Sequence, residues 1–125
     1  DIILNRKFDN DLKNIQADPD KTTWVLNNFL TNAIKYSGRG KEIIVGLRNA
    51  GNDVEFSVTD KGPGIAKEYL SKIFDRFFKV PGSSSTGNGL GLSISKEFIE
   101  AQNGRIWVTS EPANGSTFCF TLSLS

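Results

Sequence analysis

The chain has 125 residues, of which 38% are apolar and 23% charged, a balance that fits one soluble globular domain and excludes a disordered or membrane-embedded chain. A formal charge of +1 leaves no basic footprint for nucleic acid, and no apolar run approaches the roughly 20 residues that a membrane helix needs. Histidine is absent, which removes Ser-His-Asp triads, His metal sites and His general bases from the chain.

Methionine is absent too, even at position 1, so the sequence reads as a fragment of a longer protein. The single cysteine, Cys119, lies between Phe118 and Phe120 and reads as a packed thiol in a reducing, cytoplasmic setting.

In chain order, the loosely alternating opening with Ile3, Phe8, Leu12 and Ile15 is expected to hold one or two short strands. Asp18 has the place of a helix N-cap, with Pro19 at the first helical position and Asp20 in the first turn. That helix should run to about Tyr36 and stop at "SGRG". Two period-two runs follow, Ile43-Val45-Leu47 and Val54-Phe56-Val58, joined by "NAGN" as a hairpin. "DKGPGI" (60–65) must be a loop, because two glycines and a proline break any regular element. Residues 66–78, "AKEYLSKIFDRFF", read as a short helix or two, and 79–89 form a small, polar, glycine-rich segment. A second strong helix is expected from about Leu90 to Gln102, with Asn103-Gly104 as its left-handed stop. "RIWVTSE" and "STFCFTLSLS" then read as two strands around "PANG". Strands adjacent in sequence favour a mixed or antiparallel sheet with helices on one face, an α+β sandwich of one domain over 1–125.

Three constellations stand out. In the first helix, Val25, Leu26, Phe29, Leu30, Ala33 and Ile34 form an apolar face, and Asn28, Asn32 and Lys35 form a polar stripe beside it, with Tyr36 at its border. An amide oxygen can coordinate Mg²⁺ and a lysine can meet phosphate oxygens, although an ordinary solvated face is the better explanation of the stripe taken alone. Asp60 ends a strand, where a carboxylate could accept from an exocyclic amine such as that of adenine; an ordinary turn aspartate is the competing explanation. In "TGNGLGLSIS", Gly87, Gly89 and Gly91 precede a helix, whose exposed N–H groups and dipole favour an anion. No G-K-[ST] follows, so this is not a Walker A loop, and a flexible glycine-rich linker is the competing explanation.

The order of these pieces resembles the sensor histidine kinases. "NNFLTNAIKYS" is similar to their N box, "DKGPGI" to their first glycine box, "IFDRFF" to their F box and "TGNGLGLSIS" to their second glycine box. "GRIWVTSEPANGSTFCFTLSL" resembles the closing strand pair, so the likeness covers nearly the whole chain. It implies a catalytic and ATP-binding domain of the GHKL superfamily with the Bergerat fold: a mixed sheet of about five strands covered on one face by three helices.

The resemblance also implies roles. Asn32 would be the Mg²⁺ ligand, with Asn28 beside metal and phosphates, Lys35 placed for phosphate and Tyr36 for the nucleoside. Asp60 would bind the adenine amino group, supported through water by Thr117, with Gly62, Gly64 and Ile65 shaping that pocket. Residues 79–89 would form the ATP lid. Gly87, Asn88, Gly89 and Gly91 would wrap the triphosphate, and Leu90 and Leu92 would anchor the hinge. Lys79 stands where relatives often carry Arg and keeps the charge without the planar fork.

Hydrolysing GHKL ATPases place a Glu where Asn28 stands, and an amide takes no proton at neutral pH. The likeness therefore implies γ-phosphoryl transfer from Mg-ATP to a histidine, which this chain lacks. That acceptor would lie on a separate dimerisation domain preceding Asp1, in a homodimeric full-length protein with a response regulator as further partner and an inner-membrane anchor as one arrangement. The fragment alone would be monomeric and would not phosphorylate itself. An ATP-hydrolysing GHKL protein, a GHKL serine kinase and a nucleotide-binding pseudo-enzyme are the alternatives.

Overall fold

A computed structural model describes residues 3–12, 14, 15, 17–37, 42–79, 90–110 and 115–123. The elements are β1 (Ile3–Phe8), α1 (Pro19–Ser37), β2 (Glu42–Ala50), β3 (Asp53–Asp60), α2 (Gly91–Glu100), β4 (Ile106–Ser110) and β5 (Ser116–Ser123), with a short 3-10 helix at Lys67–Tyr69.

Asp18 starts α1 as its composition foretells. Its Oδ1 accepts the backbone N–H groups of Asp20 at 3.0 Å and Lys21 at 3.1 Å, which would otherwise be orphaned at the helix mouth. Pro19 follows, where a missing N–H costs nothing. Val25, Phe29 and Ala33 are buried on one stripe of this helix, and Leu26 and Leu30 pack at its margin. Ile34, which its spacing places on the apolar face, is instead 55% exposed. The buried stripe is narrower than the sequence pattern: α1 lies over β2 and β3 and beside α2, and Ile34 falls outside the face that these elements cover.

The sheet has five strands in the order β1-β2-β3-β5-β4. β1 runs parallel to β2, and the other neighbours are antiparallel, so the sheet is mixed as expected. Register fixes its two faces: Val58 pairs with Phe118, Phe56 with Phe120 and Val54 with Leu122. These residues point at the helices, and Phe29 meets both Phe118 and Phe120, with ring centroids 5.4 and 5.7 Å apart. Fully burying side chains such as Phe29 and Phe120 stabilises the fold by about 2–3 kcal/mol each. The opposite face is polar, with Arg48 gripping Glu55 through Nε and Nη2 at 2.9 and 3.0 Å. Cys119 lies on that face, yet it is 5% exposed, and burial pushes its thiol up to about 11.

The third helix of the expected fold is not an α-helix. From Ala66 to Phe78 the backbone bonds are all of the i to i+3 kind: Tyr69 to Ala66, Leu70 to Lys67, Lys72 to Tyr69, Asp75 to Lys72 and Phe78 to Asp75. Among the described residues the sheet is therefore covered by two α-helices and a succession of tight turns. Ile73, Tyr69, Phe74 and Phe78 all reach the core. Their tertiary anchoring outweighs the modest helix preference of so short a stretch. Phe77 is turned outward, 66% exposed, with φ at 64°.

Candidate nucleotide site

α1 and α2 pack antiparallel, and the contacts between them set a register. At one end the Asp18 N–H donates to Gln102 Oε1 at 2.6 Å. In the middle the Trp24 and Phe98 rings meet edge-on at 5.3 Å. At the other end Ser95 Oγ lies 3.4 Å from Asn28 Oδ1. Gly91, the first residue of α2, carries no Cβ because one there would overlap the Asn28 amide. The register therefore delivers Asn28 to the N-terminal turn of α2, and Asn32 lies one helical turn further along α1. Both amides are half-buried, whereas Lys35 in the last turn is exposed.

The second group of residues sits on strand ends. Asp60 ends β3 with the parity of Val54 and Val58, so its carboxylate faces the helices, and it is only 4% exposed. Its Oδ1 accepts the Gly62 N–H at 2.9 Å. Burial raises the carboxyl above its ordinary value, and the N–H groups of Gly62 and Ser116 partly oppose that rise. Gly64 turns the following loop with φ at 78°, and Ile65 packs against the core. Gly115 closes the other side: its φ is 79°, and a Cβ there would overlap the Asp60 carbonyl.

Asp60, Gly62, Gly64 and Ile65 are thus assembled together, and Asn28 is assembled with Gly91. The core packing runs between the two groups: Phe29, beside Asn28, meets Phe118, two residues from Ser116. Leu92 packs on the same core, and the carbonyl of Leu90 accepts the Ile94 N–H at 2.9 Å to close the first turn of α2. Lys79 is exposed after Phe78. Gly87, Asn88 and Gly89, with the rest of 80–89, lie outside the described residues, as does the side chain of Tyr36.

Thr117 does not join Asp60. It pairs with Thr59, Oγ1 to Oγ1 at 3.0 Å, on the face away from the helices. Side chains alternate along a strand, so a one-residue step puts a group on the wrong side of the sheet. Ser116 is the residue opposite Asp60. It is buried, and the alternating parity of Phe118, Phe120 and Leu122 already marked it as inward-facing. Ser110, which bonds Ser116, and Ser95, which bonds Asn28, carry no signal in the sequence, because a lone serine in a strand or helix has no pattern of its own.

No helix among the described residues is long and apolar enough to cross a membrane.

Residues 17–125 match the family described as histidine kinase-, DNA gyrase B- and HSP90-like ATPase. The adaptive-response sensory kinase SasA of Synechococcus elongatus is 44% identical over 114 residues, which cover 90% of this chain and 30% of that protein. The catalytic domain of the histidine kinase ThkA superposes with a TM-score of 0.86 at 32% identity, over 98% of this chain and 80% of that one. Full-length ShkA, solved in complex with AMPPNP, superposes with a TM-score of 0.85 at 28% identity, over 99% of this chain and 26% of that one. The chain spans roughly a third of the length of the curated SasA relatives it matches. With its mixed five-stranded sheet, one-sided helices and buried strand-end carboxylate, the chain belongs to the histidine kinase-, gyrase B- and HSP90-like ATPase family, the GHKL superfamily, and is homologous to sensor histidine kinases.

Proposed function

We propose that this domain binds Mg-ATP and presents its γ-phosphoryl group to a histidine on a separate dimerisation domain of the same protein. The observation that carries the reading is Asp60: a carboxylate buried to 4% exposure, kept on a strand end facing the helices with its Oδ1 on the Gly62 N–H. Among the described residues no cation pairs with it; burying an unpaired carboxylate costs free energy, and such cost is tolerated where a ligand donor completes the site. The exocyclic amine of adenine is such a donor, and the ShkA structure holds an ATP analogue.

The helix-borne amides fit the other end of the ligand. Asn32 would hold Mg²⁺ through its amide oxygen, and Asn28 and Lys35 would contact phosphate oxygens, with Lys79 supplying a further cation. Bound magnesium would neutralise charge on the transferring phosphoryl group. The residues of this chain orient the nucleotide and leave the nucleophile to the partner domain, because the amide of Asn28 accepts no proton from water. A cytoplasmic response regulator would then receive the phosphoryl group from the histidine.

Calorimetry with ATP and Mg²⁺ tests this on the wild type, Asp60→Ala and Asn32→Ala. Asp60→Ala should abolish binding of the base, and Asn32→Ala should remove mainly the magnesium dependence. Equal, metal-independent binding by all three proteins overturns the assignment. Incubation of this chain alone with labelled ATP should leave it unlabelled.

A further inference from the structure

Ser110, at the end of β4, spends its whole hydrogen-bonding capacity beside Asp60. Its Oγ accepts the Ile65 N–H at 2.7 Å, donates to the Gly115 carbonyl at 2.9 Å, and lies 2.9 Å from Ser116 Oγ. A serine hydroxyl has one proton and two acceptor sites. The Gly115 carbonyl can only accept, so it takes the Ser110 proton. The bond between the two serines must then be donated by Ser116. The Ser116 hydroxyl proton is therefore turned toward Ser110, and Ser116 Oγ has only lone pairs left for any other group on the face it shares with Asp60, the residue directly across the ladder.

Asp60 is itself an acceptor when ionised. The Gly62 N–H already points at its carboxylate. Among the described residues, this corner thus offers side-chain acceptors to a ligand and no side-chain donor. Thr59 and Thr117, the hydroxyls next along β3 and β5, bond each other on the opposite face.

We propose that Ser110 is a positioning residue for base selectivity: by taking up the Ser116 proton it keeps the Asp60 corner free of side-chain donors, so that the pocket admits a 6-amino purine and excludes a 6-oxo purine. An amino group supplies the hydrogens that two acceptors require, whereas a 6-oxo group sets its own lone pairs against theirs. The same serine ties the loop carrying Ile65 to the β4–β5 end, so the corner and its lid of backbone are fixed by one side chain. The inference rests on the nucleotide reading above.

The test compares Mg-ATP and Mg-ITP affinities by calorimetry for the wild type, Ser110→Ala and Ser110→Thr. Removing the acceptor frees the Ser116 proton to rotate toward a 6-oxo group, so in Ser110→Ala the preference for ATP over ITP should fall about tenfold. Ser110→Thr keeps the hydroxyl and should hold the wild-type preference within about twofold. A purely structural serine would weaken both nucleotides alike, so an unchanged preference in the alanine variant overturns the proposal. Loss of the preference in the threonine variant overturns it as well. If Ser110→Ala does not fold, Ser110→Cys makes the same measurement, since a thiol is a weak donor and acceptor in nearly the same shape. A wild type that binds neither nucleotide removes the nucleotide reading and this inference with it, whereas a wild type that binds ATP without preferring it over ITP overturns this inference and the pairing of Asp60 with the exocyclic amine but leaves Mg-ATP binding standing.

Discussion

Gly91→Ala separates packing from ligand contact at the junction of α1 and α2. The backbone of Gly91 lies outside the left-handed region, so alanine fits its conformation. Helix propensity favours the change by up to about 1 kcal/mol. The new methyl would overlap the Asn28 amide and sit 3.2 Å from its Cγ and Oδ1. These atoms end a rotatable side chain, so the amide swings away at a cost of about 0.5–1.5 kcal/mol if it leaves its rotamer well. The two terms nearly cancel, and the melting temperature should move by no more than about 5 °C. The amide, however, leaves Ser95 and the mouth of α2. Losing one hydrogen bond to a charged group removes about 1–3 kcal/mol, which weakens Mg-ATP binding between about fivefold and about a hundredfold. Thermal denaturation and calorimetry on one preparation read both quantities. Unchanged affinity would show that the position of Asn28 does not matter to the ligand. A large fall in melting temperature would show that the backbone, and not the amide, absorbs the methyl.

Asp60→Asn should stabilise the ligand-free domain at neutral pH while weakening nucleotide binding. Burial raises the Asp60 carboxyl, so the folded chain holds that proton more tightly than the unfolded chain does. Its contribution favours folding in acid and is lost as pH rises through the unfolded and then the folded value. The stability gain of Asp60→Asn should therefore be near zero below about pH 3 and largest at neutral pH in thermal melts; a gain that grows toward acid would refute this. Gly115→Ala forces a side chain into φ 79° and onto the Asp60 carbonyl, with the carbonyl carbon 3.0 Å away. It should cost at least about 2 kcal/mol in denaturant unfolding, and a loss under about 0.5 kcal/mol would contradict the geometry.

The elements that the sequence displays most openly are those whose local and tertiary preferences agree. Asp18-Pro19 caps α1 by chemistry that needs no distant partner, and the alternation of Val54, Phe56 and Val58 describes a strand that one face of helices then buries. Residues 66–78 differ because the spacing of Tyr69, Ile73, Phe74 and Phe78 is compatible with a helix, and only the fold decides that tight turns place those rings better. The candidate site divides in the same way. Asp60 and the amide pair stand out by residue type, but the faces of β5 separate Thr117 from Ser116, and their register had to be seen. Ser95 touches Asn28 across 67 positions of sequence, a contact that no local pattern announces.

Asp60 is mounted on the final residue of a central strand, flanked by β2 and β5. Such a group inherits the stiffness of the sheet, and the entropy of fixing it is already spent when the protein folds. A base that met Asp60 as proposed would therefore find its acceptor already set in place, and its selection would turn on the atoms it displays along its edge rather than on how far the strand must bend.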